Sequence, residues 1–197
     1  MQRPQEPGAT RSRYSSGAIL FHWVIAALII INISLALVTD GWHGPARAFA
    51  IQTHKATGLT ILVLSILRLV WRLVHRPPPF PSGIRRVEAV GARIVHWLFY
   101  VLMVVMPLTG WAMISAAATR KPFSWYGLFG LPYLPVQGNK ALGGSMHEAH
   151  EILGYVMIAL IVLHVAAALK HHFLDNTRLI ARMWPAAAPA PSFSEKA

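Results

Sequence analysis

Four long apolar blocks dominate this chain of 197 residues. Each block is long enough to cross a hydrocarbon core of about 30 Å, for which a helix needs about 20 residues. In a bilayer the backbone must satisfy its own hydrogen bonds, and a helix does so within one segment. The blocks therefore predict four membrane-spanning helices, at about residues 18–38, 54–74, 92–116 and 150–170.

The composition agrees with a membrane protein and excludes several kinds of chemistry. The chain is 55% hydrophobic and only 13% charged, which is unusual for a soluble domain. The first block is too long for a signal-peptide core and lacks an A-x-A cleavage pattern after it, so it is interpreted as a retained span. The absence of cysteine excludes disulfides, iron–sulfur ligation and thiolate chemistry. The ten histidines are the only good nitrogen ligands.

Positive charge is distributed unevenly between the connecting segments. Thirteen of the eighteen Lys and Arg residues lie in the leader, in the linker between the second and third blocks with its flanks, and in the C-terminal segment. Cytoplasmic segments carry such an excess, so both termini are expected in the cytoplasm, with four antiparallel helices between them. The net charge of +11 is then mainly a topology signal and a contact with lipid headgroups. Nucleic acid is not an expected partner.

The predicted organisation is an all-α membrane protein with one four-helix domain. Residues 1–17 form a polar cytoplasmic leader, residues 18–185 form the bundle, and residues 186–197 form a disordered tail rich in Ala and Pro. The segment that follows the fourth block predicts a short interfacial helix before the tail.

Four histidines lie in or at the ends of the apolar blocks, where an unpaired imidazole is costly. His22 is in the first block, His54 in the second, and His150 and His164 in the fourth. The last two are fourteen residues apart, so they differ by only about 40° around a helix and by about 21 Å along it. Antiparallel spans place His54 at the outer level of His150, and His22 at the inner level of His164. The sequence therefore predicts two facing pairs at two depths.

Two facing imidazoles at each of two depths suit the axial ligands of two b-type haems, because each iron takes one nitrogen from either side. Zinc is disfavoured, because a structural zinc site needs four ligands at one level. A small residue follows each histidine by four positions and leaves room for a flat macrocycle: Ala26, Gly58, Gly154 and Ala168. Helix capping or interfacial hydrogen bonding is the alternative role for these histidines.

One ligand position remains open, because the stretch SMHEAHE offers both His147 and His150 within one helical turn. His147 lies 17 residues from His164, about 100° away from its face of the helix, so we favour His150. His96 is followed four positions later by the bulky Tyr100 and is interpreted as an interfacial residue.

Two further polar residues share the face of the expected cofactor column. Arg68 follows His54 by fourteen residues and is a candidate partner for a haem propionate; a snorkelling arginine at the span end is the alternative. His171 follows His164 by seven residues and is a candidate for a quinone site, through proton transfer or a hydrogen bond. An interfacial histidine paired with His172 is the alternative for that residue.

Three stretches resemble the bacterial cytochrome b561 family: ILFHWVIAALI, IQTHKATGLTILVLSILRLVWRL and HEILGYVMIALIVLHVAAALKHHFLDNTRLIARMWP. The likeness covers roughly residues 14–185, and the last motif, H-x13-H followed by K-H-H-F, is specific. The resemblance implies a multi-pass protein of the bacterial inner membrane in which two haems b are bound by four histidines: His22, His54, His150 and His164.

The resemblance also implies an oxidoreductase that transfers single electrons between a periplasmic donor and membrane ubiquinone. Some members resemble superoxide oxidases, in which superoxide is the donor. The first alternative is a haem-bearing membrane anchor that passes electrons from a periplasmic dehydrogenase or hydrogenase to quinone. The second is a metal-ion transporter that uses the histidines as transport ligands.

The outer loops contain basic residues that would steer a small anion towards the outer haem: Arg47, Lys55, Arg120, Lys121 and Lys140. The same charges would suit haem propionates or an acidic donor protein. The outer loop at 117–145, rich in aromatic residues, Gly and Pro, is a candidate lid over this entrance.

Overall fold

Four long helices form the protein in a computed structural model that describes residues 13–80, 83–175, 177 and 179–185. They are α1 (Ser16–Val38), α2 (Gly44–Val74), α3 (Arg86–Ala116) and α4 (Lys140–Phe173), and the short α5 (Leu179–Met183) follows. The strands β1 (Ser124–Trp125) and β2 (Phe129–Gly130) form an antiparallel hairpin between α3 and α4. All four long helices are long and apolar enough to span a bilayer. The predicted fold class is confirmed.

All four helices begin earlier than the apolar blocks, because capping and not hydrophobicity decides where a helix starts. Pro45 lies in the first turn of α2, where its missing N–H costs no hydrogen bond. The side chain of Asn139 accepts a hydrogen bond of 3.0 Å from the Leu142 N–H and caps α4. The outer loop predicted for 117–145 is therefore shorter and spans residues 117–139.

The helices pack as two antiparallel hairpins, α1 with α2 and α3 with α4, and the hairpins meet along α2 and α3. Within the described part of the chain, the backbone of α4 does not approach that of α1 or α2 as closely as it approaches that of α3. Side chains alone therefore bridge the space between α4 and the first hairpin. A small apolar core closes the centre of the bundle: Ile25, Ile61, Tyr100, Leu102, Met103 and Met157.

The bundle has two distinct ends. We call the end with the start of α1 and the end of α4 the terminal end, and the end with residues 117–139 the loop end. At the terminal end, Trp23 Nε1 donates to the Met183 carbonyl at 2.7 Å, so α5 packs against α1. This is the short helix predicted after the fourth block. Residues 1–12 of the predicted leader and the predicted tail at 186–197 lie outside the described residues.

The loop end is covered by the β-hairpin, which is anchored on α2. Trp125 Nε1 donates to Thr60 Oγ1 at 3.0 Å, and the Tyr126 hydroxyl lies 2.9 Å from Thr57 Oγ1. Tyr126 has a φ of 46°, which is uncommon for a bulky residue and is accommodated by the tight turn between the strands. The loop thus lies against the helices at the end where His54 is found.

Candidate functional site

Two pairs of histidines face each other across the bundle at different depths. At the loop end, His54 of α2 faces His150 of α4 with the ring centroids 6.1 Å apart. At the terminal end, His22 of α1 faces His164 of α4 with the centroids 6.3 Å apart. The structure brings together the residues that the sequence analysis paired, and their ligation of iron stays a prediction.

The separation of the rings fits a metal ion between them. A metal–imidazole bond is about 2.0 Å, and the ring centre lies roughly 1.1 Å beyond the nitrogen, so an iron between two imidazoles requires centroids about 6.2 Å apart. The observed values of 6.1 Å and 6.3 Å match this requirement. Both pairs lie where side chains alone bridge the space beside α4.

Backbone carbonyls hold the two rings at the loop end. His54 Nδ1 donates to the Asn32 carbonyl at 3.1 Å, and His150 Nδ1 donates to the Met106 carbonyl at 3.0 Å. Thr109 Oγ1 lies 3.1 Å from the same His150 nitrogen. A proton on Nδ1 leaves Nε2 of each ring free to bind a metal, which is the arrangement that ligating histidines adopt.

A cavity of about 510 Å³ surrounds the pair at the loop end. This volume lies within the usual range for ligand sites, and its walls are mostly apolar. Gly58 and Gly154, two of the small residues singled out in the sequence, line it. Asn32 Oδ1 lines it too and is buried without a hydrogen-bond partner, so a further polar group is expected there. These walls and imidazoles fit a b-type haem.

Gly110 of α3 is a third small residue at this site, and the sequence analysis missed it. A Cβ at this position would lie 3.2 Å from His150 Cε1, closer than most side-chain contacts. Glycine therefore allows the His150 ring to pack directly on the backbone of α3. The spacing rule used for the sequence considered residues on the ligand's own helix and had no means of finding a partner on another helix.

The pair at the terminal end has a different environment. Arg68 Nη2 lies 3.3 Å from His22 Nδ1, whereas His164 makes no hydrogen bond within the described ranges. Three rings surround His164: His22, His96 at a centroid distance of 5.6 Å and Phe99 at 5.5 Å. The interpretation of His96 as a merely interfacial residue is incomplete, because its ring lies beside a predicted ligand.

Arg68 is a half-buried cation that lacks an acidic partner among the described residues. Its guanidinium carbon lies 5.7 Å from the centre of the Tyr100 ring, and that of Arg72 lies equally far from the same ring. The ion pairs in the described part of the chain involve other groups. A guanidinium that is partly removed from water without a counter-charge is costly, so Arg68 is well placed to bind an anionic group.

His171 belongs to an ion-pair cluster at the terminal end. Its Nδ1 lies 2.7 Å from Asp175 Oδ2, so its partner is this carboxylate and not His172. Lys170 Nζ bridges Glu88 Oε1 of α3 at 2.8 Å and Asp175 Oδ2 at 2.9 Å. Glu88, His171 and Asp175 are close enough to hold a metal ion. Lys170 pairs with both carboxylates and Arg85 pairs with Glu88 at 2.9 Å, so two cations already balance the two carboxylates, and we assign no metal to them.

The variant Asp175→Asn is expected to lose less stability in acid than the wild type. The hydrogen bond from Lys170 holds the pKa of Asp175 below its ordinary value of 3.8. The folded state therefore binds fewer protons than the unfolded state, and this contribution is present above pH 3.8 and lost as the pH falls through the lower folded pKa. Thermal unfolding in detergent, followed by circular dichroism below about pH 5, measures the difference. If the unfolding temperatures of the two proteins fell in parallel as the pH was lowered, the role of this carboxylate would be contradicted.

The fold and the facing histidines define a class of protein: a membrane-spanning helical bundle with two imidazole pairs spaced to hold metal cofactors. Comparison with known proteins agrees with this class. The family model of the prokaryotic cytochrome b561 matches residues 13–186, which is most of the chain. The chain therefore belongs to the prokaryotic cytochrome b561 family, and it is a multi-pass haem protein of the inner membrane that functions in electron transport.

Individual relatives cover nearly the whole chain. Cytochrome b561 homolog 2 of Escherichia coli (strain K12) is 31% identical over 183 residues, which covers 88% of this chain and 92% of the relative. Cytochrome b561 homolog 1 of the same organism is 27% identical, with coverage of 88% and 98%. A protein of Yersinia pestis named probable superoxide oxidase CybB is 28% identical over 175 residues, with coverage of 88% and 96%.

Proposed function

We propose that this protein is a two-haem cytochrome that transfers electrons between a periplasmic donor and membrane ubiquinone. His54 and His150 bind the outer haem, and His22 and His164 bind the inner haem. The observation that carries the proposal is the presence of two histidine pairs, each at the separation required for an iron, at two levels of one bundle. The excess of Lys and Arg at the terminal end makes that end cytoplasmic.

The protein supports the outer haem through its backbone. When bound, the haems supply one-electron transfer between the two sides of the membrane. The carbonyls of Asn32 and Met106 fix the proton of His54 and His150 on Nδ1 and so direct Nε2 of each ring towards the iron. These carbonyls belong to the backbone of α1 and α3. The orientation of each ring therefore does not depend on the position of a second side chain.

Arg68 has a different partner once His22 binds iron. A His22 ring that ligates through Nε2 has its proton on Nδ1 and is then unable to accept a hydrogen bond from the guanidinium at 3.3 Å. Arg68 must bind an acceptor elsewhere, and a haem propionate supplies a carboxylate that suits a guanidinium. This supports Arg68 as the propionate partner of the inner haem.

His171 is suited to bind ubiquinone at the cytoplasmic end. In the imidazolium form its Nδ1–H donates to Asp175, and its Nε2–H is available to donate to a quinone carbonyl. Reduction of a quinone to a quinol takes two electrons and two protons. Asp175 is partly exposed, with 34% of its side chain accessible, whereas His171 is 13% accessible. The carboxylate therefore connects the imidazole to water and offers a route by which those protons enter.

Superoxide is the donor that the outer site favours. Lys55 and Lys121 line the cavity at the outer histidine pair together with Glu151, so the charge of its described walls is net positive. Thr119 and Tyr133 of the outer loop line it as well, as expected for a lid. Two superoxide anions would each give one electron and leave as dioxygen, while one quinone takes up both electrons and two protons.

Stopped-flow mixing of the purified single chain with superoxide tests the proposal. Superoxide should reduce the oxidised haems, and added ubiquinone should reoxidise them; superoxide dismutase should suppress the first step. The His54→Ala variant is the control, because it is expected to lose the entry haem. Haems that exchange electrons with quinol but not with superoxide would favour the membrane-anchor function, in which a partner subunit is the donor. A chain without haem would refute both.

Charge reversal at Lys121 is expected to slow the reaction with superoxide. Electrostatic steering raises association rates by about 10-fold or more, and Lys121→Glu replaces one positive charge of the cavity wall with a negative one. We expect a rate constant roughly 3- to 10-fold lower at low salt, with the difference shrinking as salt is added. Lys140→Glu at the start of α4 is the matched control, because Lys140 does not line the cavity. Equal effects of both variants would contradict local steering.

A further inference from the structure

We propose that His96 of α3 is a positioning residue of the inner site, whose imidazole accepts a hydrogen bond from the Nδ1–H of His164. The proposal rests on the ligation of the inner haem by His22 and His164. It adds a residue on the third helix, which supplies none of the four proposed ligands. Its role is to fix the ring of a ligand and to set the electron density that this ring gives to the iron.

The first observation is the missing partner of His164. The Nδ1 atoms of His54 and His150 are each bound to a backbone carbonyl, and that of His22 faces Arg68. In the part of the chain that the structure describes, His164 alone of the four makes no hydrogen bond. A ligating histidine almost always donates its second ring N–H to an acceptor, so an acceptor for His164 is required.

The second observation is the distance between the rings. An N–H···N hydrogen bond of about 2.9 Å, with roughly 1.1 Å from each nitrogen to its ring centre, places two imidazole centroids about 5.1 Å apart. His96 lies at 5.6 Å from His164, whereas His22 lies at 6.3 Å. His96 is therefore close to hydrogen-bonding distance from His164, whereas His22 is at the distance that an intervening iron requires.

The other neighbours of His164 are unable to take this role. Phe99, at 5.5 Å, has no polar atom. Arg68 and Arg72, which converge on the Tyr100 ring one helical turn beyond His96, carry donors only. His96 itself makes no hydrogen bond to a described residue, and an imidazole on a membrane-spanning helix is costly without one. A hydrogen bond between the two rings gives the Nδ1–H of His164 its acceptor and gives one ring nitrogen of His96 a partner.

This hydrogen bond has a predicted electronic consequence. An acceptor at Nδ1–H raises the basicity of the imidazole and so stabilises ferric over ferrous iron. The bond therefore lowers the midpoint potential of the inner haem. Removing it should raise that potential and leave the outer haem unchanged, because the outer rings depend on backbone carbonyls.

The experiment compares His96→Phe with His96→Gln in the full-length, haem-loaded protein. Spectroelectrochemical titration gives the midpoint potential of each haem, and the inner one is identified by its absence in His164→Ala. We expect His96→Phe to raise the inner potential and to shift the ferric low-spin resonance of that haem. His96→Gln, which retains an acceptor oxygen, should stay near the wild type.

Several results would overturn the role of His96. They are an unchanged inner potential in His96→Phe, an equal shift in both variants, or loss of the inner haem from both. Loss of the inner haem from His96→Phe alone would support the role, because the glutamine retains the acceptor. Failure of the haem assignment itself would look different. The wild-type protein would then lack low-spin, bis-histidine haem, or His164→Ala would retain two haems.

Discussion

Replacement of His164 with alanine is expected to remove the inner haem and to lower the haem content from about two to about one per chain. The ring of His164 faces His22 at 6.3 Å, and its loss leaves the iron with one protein ligand. His54→Ala should remove the outer haem by the same logic and retain the inner one. Haem content measured against protein concentration, with a redox titration that resolves the two centres, gives the result.

The same variant separates the two half-reactions. The His164→Ala protein should still accept an electron from superoxide at the outer haem, but it should fail to reduce ubiquinone, because the cytoplasmic carrier is missing. His43→Ala, at the residue that precedes α2 and away from both pairs, is the control and should keep both haems. Retention of two haems in His164→Ala, with the helical content unchanged, would contradict the assignment of this ligand.

Sequence spacing was sufficient for the fold class and for the pairing of the histidines. The apolar blocks specify four helices because only a helix satisfies its backbone hydrogen bonds within one apolar segment. The rise of about 1.5 Å per residue then sets the two levels on α4. Antiparallel order places His54 and His22 opposite them, and the ring distances of 6.1 Å and 6.3 Å agree with that argument.

The remaining features of the site depend on contacts between helices, which spacing along one helix does not reveal. The carbonyls that hold His54 and His150 belong to Asn32 and Met106, and a backbone carbonyl has no sequence signature. The contact of His96 with His164 was not predicted, because hydrophobicity alone does not show which face of α3 meets α4. The depth of His96 in the bundle could have indicated this contact. His96 lies about as far into α3 from the terminal end as His164 lies in α4.

The two sites differ in how their rings are held, and this difference has a functional consequence. At the outer site both Nδ1 atoms are bound by carbonyls of the helix backbone, which a side-chain substitution does not remove. At the inner site the neighbours are the side chains of Arg68 and His96, and these groups respond to changes in charge. If the proposed function holds, the potential of the inner haem should therefore be more sensitive to mutation than that of the outer haem.

His150→Ala is expected to remove the outer haem, whereas His147→Ala should leave both haems in place. The two histidines lie within one turn of α4, but only His150 lines the cavity and faces His54. His147 is exposed, and its Nδ1 lies 3.3 Å from Met113 Sδ. A ligand must direct Nε2 towards the iron while a second group holds Nδ1, and the Met106 carbonyl does this for His150 at 3.0 Å.

The two variants are well matched, because each removes one imidazole from the same turn of α4. The haem content should fall from about two to about one in His150→Ala only, and reduction by superoxide should be lost with it. The inner haem of that variant should still exchange electrons with quinol, which shows that the bundle is intact. The reverse pattern, with the outer haem lost from His147→Ala and kept in His150→Ala, would assign the ligand to His147 and would require α4 to rotate by about 60° at this end.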